Sequence, residues 1–205
     1  GRGAALDHYV GLVQALGEAG RLDLALQVLE DMPALGVAPS TRLYDALIAA
    51  CLRNHDPGRA HALLWDMTGR GIAPSTYTYG MLIASCSHPA LNAGQRGAGL
   101  AACLRLLAQM TEDGLPPTTR TYNAALDVCA KAGRRPSDVF TMYEEMQRAG
   151  VAGDVATLGV LVRHCANHRM LTAARRVVED MGRRGVRPNA GVFEQLARVY
   201  VGCRQ

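Results

Sequence analysis

The chain has 205 residues, with 22 basic against 18 acidic side chains and a formal net charge of +4. That balance excludes a polyanion-coating basic tail, and a content of 49% hydrophobic and 20% charged residues excludes a disordered chain. No apolar run approaches the ~20 residues that cross a bilayer, so no membrane partner is expected. Of the 22 basic residues only Lys131 is a lysine. Arginine binds phosphate bidentately and stacks on bases better than lysine does, but the bias fits GC-rich codons and names no ligand by itself.

Internal repetition organises the chain. The segments GVAPSTRLY (36–44), GIAPSTYTY (71–79), GLPPTTRTY (114–122), GVAGDVATL (150–158) and GVRPNAGVF (185–193) share one pattern. Each has a Gly and an aliphatic residue, then usually a Pro, a polar residue and, four further on, an aromatic or Leu. The linker glycines are spaced by 35, 43, 36 and 35 residues.

Taken in chain order, unit 6–40 carries Tyr9 on its first segment and Ala25, Val28, Leu29 and Met32 on its second. Unit 41–75 has Tyr44, Leu47, Ile48 and Cys51, then Ala60, Leu63, Leu64 and Met67. Unit 76–118 has Tyr79, then Cys103, Leu106, Leu107 and Met110, and its extra residues, HPALNAGQRGA (88–98), read as an exposed loop. Unit 119–154 has Tyr122, then Val139, Met142, Tyr143 and Met146; unit 155–189 has Leu158, then Ala174, Val177, Val178 and Met181. Residues 190–205 supply the first helix of a sixth unit, and no separate domain is implied.

Three-and-four spacing of apolar residues predicts a helix for every segment, hence eleven helices in antiparallel pairs and no strand. Each methionine stands four residues before its linker Gly, which predicts a left-handed glycine closing the second helix. Ser40, Ser75, Thr118, Asp154 and Asn189 are N-cap types for the helix that follows. The shared register predicts Tyr9, Tyr44, Tyr79 and Tyr122 buried in equivalent interfaces. It also predicts Cys51, Cys86, Cys129 and Cys165, each seven residues after an aromatic or Leu, as buried packing thiols. One unit cannot bury its apolar face alone, so neighbours must stack into a solenoid.

Chemistry-bearing constellations are sparse. The six cysteines form no CxxC pair, and no Cys/His cluster has zinc-ligand spacing, so no metal or cofactor is expected. His164 beside Cys165 reads as a helix-surface histidine, and Trp65, on a second helix, as a partly buried packing residue. Acid pairs such as Glu30–Asp31, Glu144–Glu145 and Glu179–Asp180 recur just before the methionines as a structural feature. Neither a catalytic constellation nor a phosphate loop emerges, so no enzyme activity and no small-molecule substrate are expected. The chain opens at Gly1 without an apolar leader, which reads as a processed chain or an excerpt.

The run LxxYxxLxxxLxxxGRxxxAxxxxxxM in 6–32 and TYNAALDVCAKAGR in 121–134, joined by GxxPS and GxxPT linkers, resembles the pentatricopeptide repeat family over residues 6–205. The tetratricopeptide signature of Trp, Leu-Gly and Tyr in the first helix is absent. The resemblance implies an all-α, right-handed superhelical α-solenoid of helix-turn-helix repeats, 1–205 being one array. It also implies a mitochondrial or chloroplast protein that binds single-stranded RNA, one base per repeat, in transcript stabilisation, processing or translation. The alternative is a structural subunit that clasps rRNA or protein inside a large organellar assembly such as a ribosome or transcription complex.

In the family scheme a base is read by the residue after the first-helix aromatic together with the polar residue after the linker Pro. Carried over, the pairs are Val10 with Ser40, Asp45 with Ser75, Gly80 with Thr118, Asn123 with Asp154, and Gly159 with Asn189. Only Asn123 with Asp154 is a pair the family uses well, and it implies uracil; the others depart from the pattern. Two residues before the aromatic, where the family wedges a side chain between bases, stand Asp7, Arg42, Tyr77, Arg120 and Ala156. Nine residues after it, where a cation would meet phosphate, stand Glu18, Arg53, His88, Lys131 and Asn167. The expected RNA-contacting set is therefore Arg42, Asp45, Arg53, Ser75, Tyr77, Arg120, Asn123, Lys131, Asp154 and Asn189.

Overall fold

The computed structural model describes the backbone of residues 2–87, 93–132 and 136–202, and side chains from residue 6 onward except those of 93–96. His88 lies outside the described residues. The described chain contains eleven α-helices and no strand: α1 (Arg2–Glu18), α2 (Leu22–Asp31), α3 (Thr41–Arg53), α4 (Pro57–Gly69), α5 (Thr76–Ser85), α6 (Ala93–Glu112), α7 (Thr119–Ala132), α8 (Pro136–Arg148), α9 (Val155–Asn167), α10 (Leu171–Arg183) and α11 (Ala190–Gly202). A one-turn 3₁₀ segment, Met32–Leu35, extends α2. The fold is an all-α solenoid of helix-turn-helix repeats.

Each linker closes as its chemistry requires. Gly36, Gly71, Gly114, Gly150 and Gly185 all have positive φ between 67° and 82°. The residue after each glycine donates its N–H back to the buried methionine's carbonyl, as from Ile72 to Met67 at 3.0 Å. This is the six-to-one bond of a Schellman cap. Ser40, Ser75, Thr118, Asp154 and Asn189 then accept the N–H three residues on, so all five act as N-caps.

Residues 1–85 and 86–205 form two compact units. In the first, α3 packs between α1 and α5, with α2 and α4 as the second layer. Gly17 makes the α1–α3 approach possible: a Cβ there would lie 2.5 Å from that of Ala50. In the second unit, α9 packs between α7 and α11, and α7 also meets α6 and α8. The apolar residues carrying this packing match the predicted register: Leu47, Ile48, Leu64 and Met67 in one unit, Leu126, Val139, Leu161 and Ala174 in the other, are nearly inaccessible to solvent. Cys51, Cys86, Cys129 and Cys165 are buried free thiols, as is Cys103. Burial pushes the Cys51, Cys86, Cys129 and Cys165 thiols up to about 11, so they are inert at neutral pH.

Four expectations need correction. Tyr44, Tyr79 and Tyr122 are buried, but Tyr9 is only half-buried, because in this chain α1 has a neighbouring first helix on one side alone. Within the 88–98 insertion, residues 93–98 are helical and lengthen α6 to 20 residues. Adding turns to an existing helix carries no nucleation cost, and this offsets the poor propensity of Gly94 and Gly97. Trp65 is 66% exposed, since it falls outside the Ala60–Leu63–Leu64–Met67 stripe that faces the core. His164 is buried rather than on the surface. It occupies the register of Ala50 and Val128, six residues after the aromatic or Leu. Its Nε2–H donates to the Pro136 carbonyl at 3.0 Å, and its ring meets Phe140 edge-on.

Tyr44→Ala should cost about 3–5 kcal/mol in chemical denaturation, as for other large-to-small aromatic core changes, whereas Tyr9→Ala should cost about half that. Tyr44 also loses a bond, since its hydroxyl donates to Asp66 Oδ2 at 2.5 Å. His164 supplies a pH signature. Burial, then the nearby His168, lowers its pKa below the ordinary value of 6.5, so the unfolded chain binds the proton more readily than the folded one. Its contribution is complete above about pH 6.5 and is lost as pH falls below that value. Urea midpoints at pH 7.5 and 5.5 should therefore differ more for the parent than for His164→Gln.

Candidate nucleic-acid interface

The predicted contact residues lie at the first turns and the C-terminal ends of first helices and at the caps between units. Asn123, in the first turns of α7, donates Nδ2–H to Asp154 Oδ1 at 3.0 Å, so this pair is brought together directly. Thr157 locks it: its hydroxyl donates to Asn123 Oδ1 at 2.6 Å and accepts the Asp154 N–H at 3.0 Å, while its own N–H donates to Asp154 Oδ1 at 2.9 Å. Burial would raise the Asp154 pKa, but the Thr157 N–H, the Asn123 amide and the Thr157 hydroxyl together hold it below the usual carboxylate range.

Asp45 and Ser75 are joined through Thr78. The Thr78 hydroxyl donates to Asp45 Oδ1 at 2.5 Å and accepts the Ser75 N–H at 3.0 Å, while Ser75 Oγ accepts the Thr78 N–H at 3.1 Å. Burial raises the Asp45 pKa, opposed by these hydroxyls. Thr121 repeats the cap with Thr118, accepting its N–H at 2.7 Å. Asn189 commits Oδ1 to the Val192 N–H at 3.1 Å.

Thr78, Thr121 and Thr157 are thus positioning residues that sequence reasoning did not single out, each almost completely buried. A signal existed. Threonine recurs immediately before Tyr79, Tyr122 and Leu158 and three residues after the cap, the capping-box spacing. The first and last linkers have Leu43 and Val192 there and lack the hydroxyl.

Arg42, Tyr77 and Arg120 each occupy the second position of α3, α5 and α7 and are exposed. Three of the predicted cations are engaged by carboxylates. Arg42 meets Asp7 at 2.8 Å and Arg53 meets Glu18 at 3.3 Å, both one repeat back. Lys131 pairs with Asp127 at 2.7 Å and donates to the Ser87 carbonyl at 3.3 Å. Exposed pairs of this kind contribute about 0–1 kcal/mol each, so an incoming phosphate can exchange with the carboxylate at small cost.

Thr157→Val, which keeps the shape and removes the hydroxyl, should destabilise by about 1–3 kcal/mol because Asn123 Oδ1 and the Asp154 N–H lose their partner. Thr157→Ser should lose less than half as much, and urea denaturation of both variants checks this.

The family model described as the PPR repeat family matches residues 39–88, that of the pentatricopeptide repeat domain matches 6–54, and that of the pentacotripeptide-repeat region of PRORP matches 83–204, more than half the chain. A pentatricopeptide repeat-containing protein of Arabidopsis thaliana is 27% identical over 192 residues, 93% of this chain and 32% of the relative. The chloroplastic pentatricopeptide repeat-containing protein 10 of Zea mays is 31% identical over 84 residues, 41% of this chain and 11% of the relative. The chain therefore spans about a third, or less, of the length of these relatives. Among solved structures, the PPR domain of Arabidopsis thaliana protein-only RNase P 1, in complex with tRNA, superposes with a TM-score of 0.73 at 14% identity, covering 98% of this chain and all of that one. The maize pentatricopeptide repeat protein PPR10 gives 0.54 at 22% identity, over 97% of this chain and 34% of that one. At such identities these structures speak for the fold, while the matched family models, the Gly–Pro linkers and the five caps together show that the chain belongs to the pentatricopeptide repeat family.

Proposed function

We propose that the chain binds single-stranded RNA at the starts of its first helices, in a mitochondrion or chloroplast, and so stabilises, positions or helps to process a transcript. The observation that carries this is the Asn123–Asp154 pair, held at 3.0 Å and braced by Thr157. With Oδ1 engaged by Thr157 and one Nδ2–H by Asp154, Asn123 keeps one N–H for a base acceptor, and Asp154 Oδ2 remains to accept a base N–H. Uracil, with an N–H beside a carbonyl, meets that donor–acceptor edge. Arg42, Tyr77 and Arg120 supply stacking surfaces, and Arg53 and Lys131 reach phosphates. The chloroplastic relatives support the organellar part of the reading. No bond-making step is assigned to the chain, although its neighbours in fold include the repeat domain of an RNase P.

A structural-subunit reading is favoured by one observation: Val10, Gly80 and Gly159 present no hydrogen-bonding side chain to a base. RNA affinity measured against salt concentration separates the two. On the proposed reading Arg53→Ala and Lys131→Ala each weaken binding for all sequences and flatten the salt dependence by about 0.7 for each phosphate no longer neutralised. Unchanged slopes would place those side chains away from the RNA backbone.

A further inference from the structure

Asp45 stands where the fourth unit has Asn123, and its surroundings differ in hydrogen-bond polarity. The Thr78 hydroxyl donates to Asp45 Oδ1 at 2.5 Å, and Ser75 Oγ lies 3.0 Å from Thr78 Oγ1. Thr78 Oγ1 already accepts the Ser75 N–H, and Ser75 Oγ already accepts the Thr78 N–H. The Thr78 proton is therefore committed to Asp45 and the Ser75 proton to Thr78 Oγ1, so neither is left for a ligand. At Asn123 the corresponding Thr157 hydroxyl makes its shorter contact, 2.6 Å against 3.0 Å to Asp154 Oδ1, with an amide oxygen, and Asn123 has a second amide N–H beyond the one bonded to Asp154. The Asp45 site consequently offers acceptors only, where the Asn123 site offers one donor and one acceptor.

The carboxylate is half-buried, and no cation lies within ion-pair distance of it among the described residues. Its charge is stabilised by the Thr78 hydroxyl and by the N-terminal end of α5, which Ser75 caps. Thr78 is fully buried, so the carboxylate is held in place, and its remaining lone pairs need N–H donors. On either side stand exposed side chains able to stack on a ring: Arg42, three residues earlier on α3, and Tyr77, immediately before Thr78.

We propose that the Asp45–Ser75–Thr78 site selects guanine within a bound RNA strand. The inference rests on the RNA-binding reading above. A carboxylate is complementary to two adjacent N–H donors, and among the four bases only guanine presents such a pair, N1–H beside the N2 amine. Uracil has one N–H between two carbonyls. In adenine and cytosine the exocyclic amine is adjacent to a ring nitrogen that accepts, and a carboxylate repels it. The two bonds to guanine are charge-assisted, hence among the stronger ones available to a base reader. The site is thus specific although Asp with Ser departs from the pairs the family uses well.

The test uses the whole chain and fluorescence anisotropy at one fixed salt concentration. The probes are a 12-nucleotide oligouridine and the same strand with a single central guanine, inosine, 7-deazaguanine, adenine or cytosine. One guanine should tighten binding about tenfold, the scale of a good bidentate base contact. The 7-deazaguanine strand should match it, because N7 is not read. Inosine, which lacks the N2 amine, should lose most of the gain, and adenine and cytosine should show none. In Asp45→Asn the guanine-to-uridine affinity ratio should fall to about one, since Thr78 can then bond the amide oxygen as Thr157 does in Asn123. That ratio is read within each variant, so a change in general affinity cancels. Equal affinity for all strands, equal binding of inosine and guanine, or a guanine gain that survives Asp45→Asn overturns the guanine assignment alone. Absence of binding to every strand overturns the RNA reading together with it.

Discussion

The left-handed glycine that follows each second helix is the constraint on which the other features depend. It stands four residues after a methionine whose side chain is already fully buried, as at Met32, Met67, Met110, Met146 and Met181, and the helix is closed by then. Only a positive φ lets the next residue return its N–H to that methionine's carbonyl, and at 67–82° glycine adopts it without a Cβ penalty. The chain then leaves at a repeatable angle, Pro cannot re-enter the helix, and a capping residue starts the next one. Because cap and buried methionine are a fixed number of residues apart, the tyrosine register of every first helix is set by the same device.

The same caps carry the candidate readout. Ser75 and Asp154 are needed to satisfy the orphan N–H groups of α5 and α9, and each also faces the residue after the preceding aromatic. The buried threonines reconcile the two tasks. A hydroxyl that accepts the cap's N–H has one proton left, and it goes to whichever oxygen the neighbouring first helix presents: a carboxylate at Asp45, an amide at Asn123. One change of side chain therefore alters the polarity of the exposed edge without altering the backbone beneath it.

Much of this is legible from periodicity. The units, helix pairs, capping residues and buried thiols follow from spacing, because the same local chemistry is sampled five times and chance agreement is averaged out. What escapes depends on neighbours. Tyr9 has the right register but a partner on one side only, which no local pattern reveals. His164 reads as a surface residue by type, while Ala50 and Val128 at the same place in their repeats are buried and mark the position as an inside one. The threonines are hidden by their dual use, for threonine three residues after a cap passes as an ordinary helix-start residue until the partner across the repeat is seen. The turn inside a unit shows the limit of residue type in another way. Gly20 has the left-handed φ expected of glycine, but His55 and Arg169 hold it too, at 61° and 55°. The turn-closing bonds, from the Asp56 N–H to the Cys51 carbonyl and from the Met170 N–H to the Cys165 carbonyl, both 2.9 Å, offset there a backbone cost of about 1–2 kcal/mol.

Charge follows the repeat as well. Arg42 reaches Asp7, Arg53 reaches Glu18, Arg59 reaches Asp23 and Arg163 reaches Asp127, in every case one unit back along the chain. Stacking equivalent helices places residue i beside residue i+35 or i+36, so a cation and an acid in successive units become neighbours without being close in sequence. Each such pair is neutral, in a chain whose net charge is only +4. Long-range steering of a polyanion is then weak at physiological ionic strength, where fields fade within about 8 Å. An RNA strand bound here would exchange with carboxylates already in place, so its affinity would have to come from stacking on Arg42, Tyr77 and Arg120 and from the two braced edge-reading pairs. A binder assembled this way favours unstacked single strands over duplexes, because bases in a duplex offer neither a free ring face nor a free Watson–Crick edge.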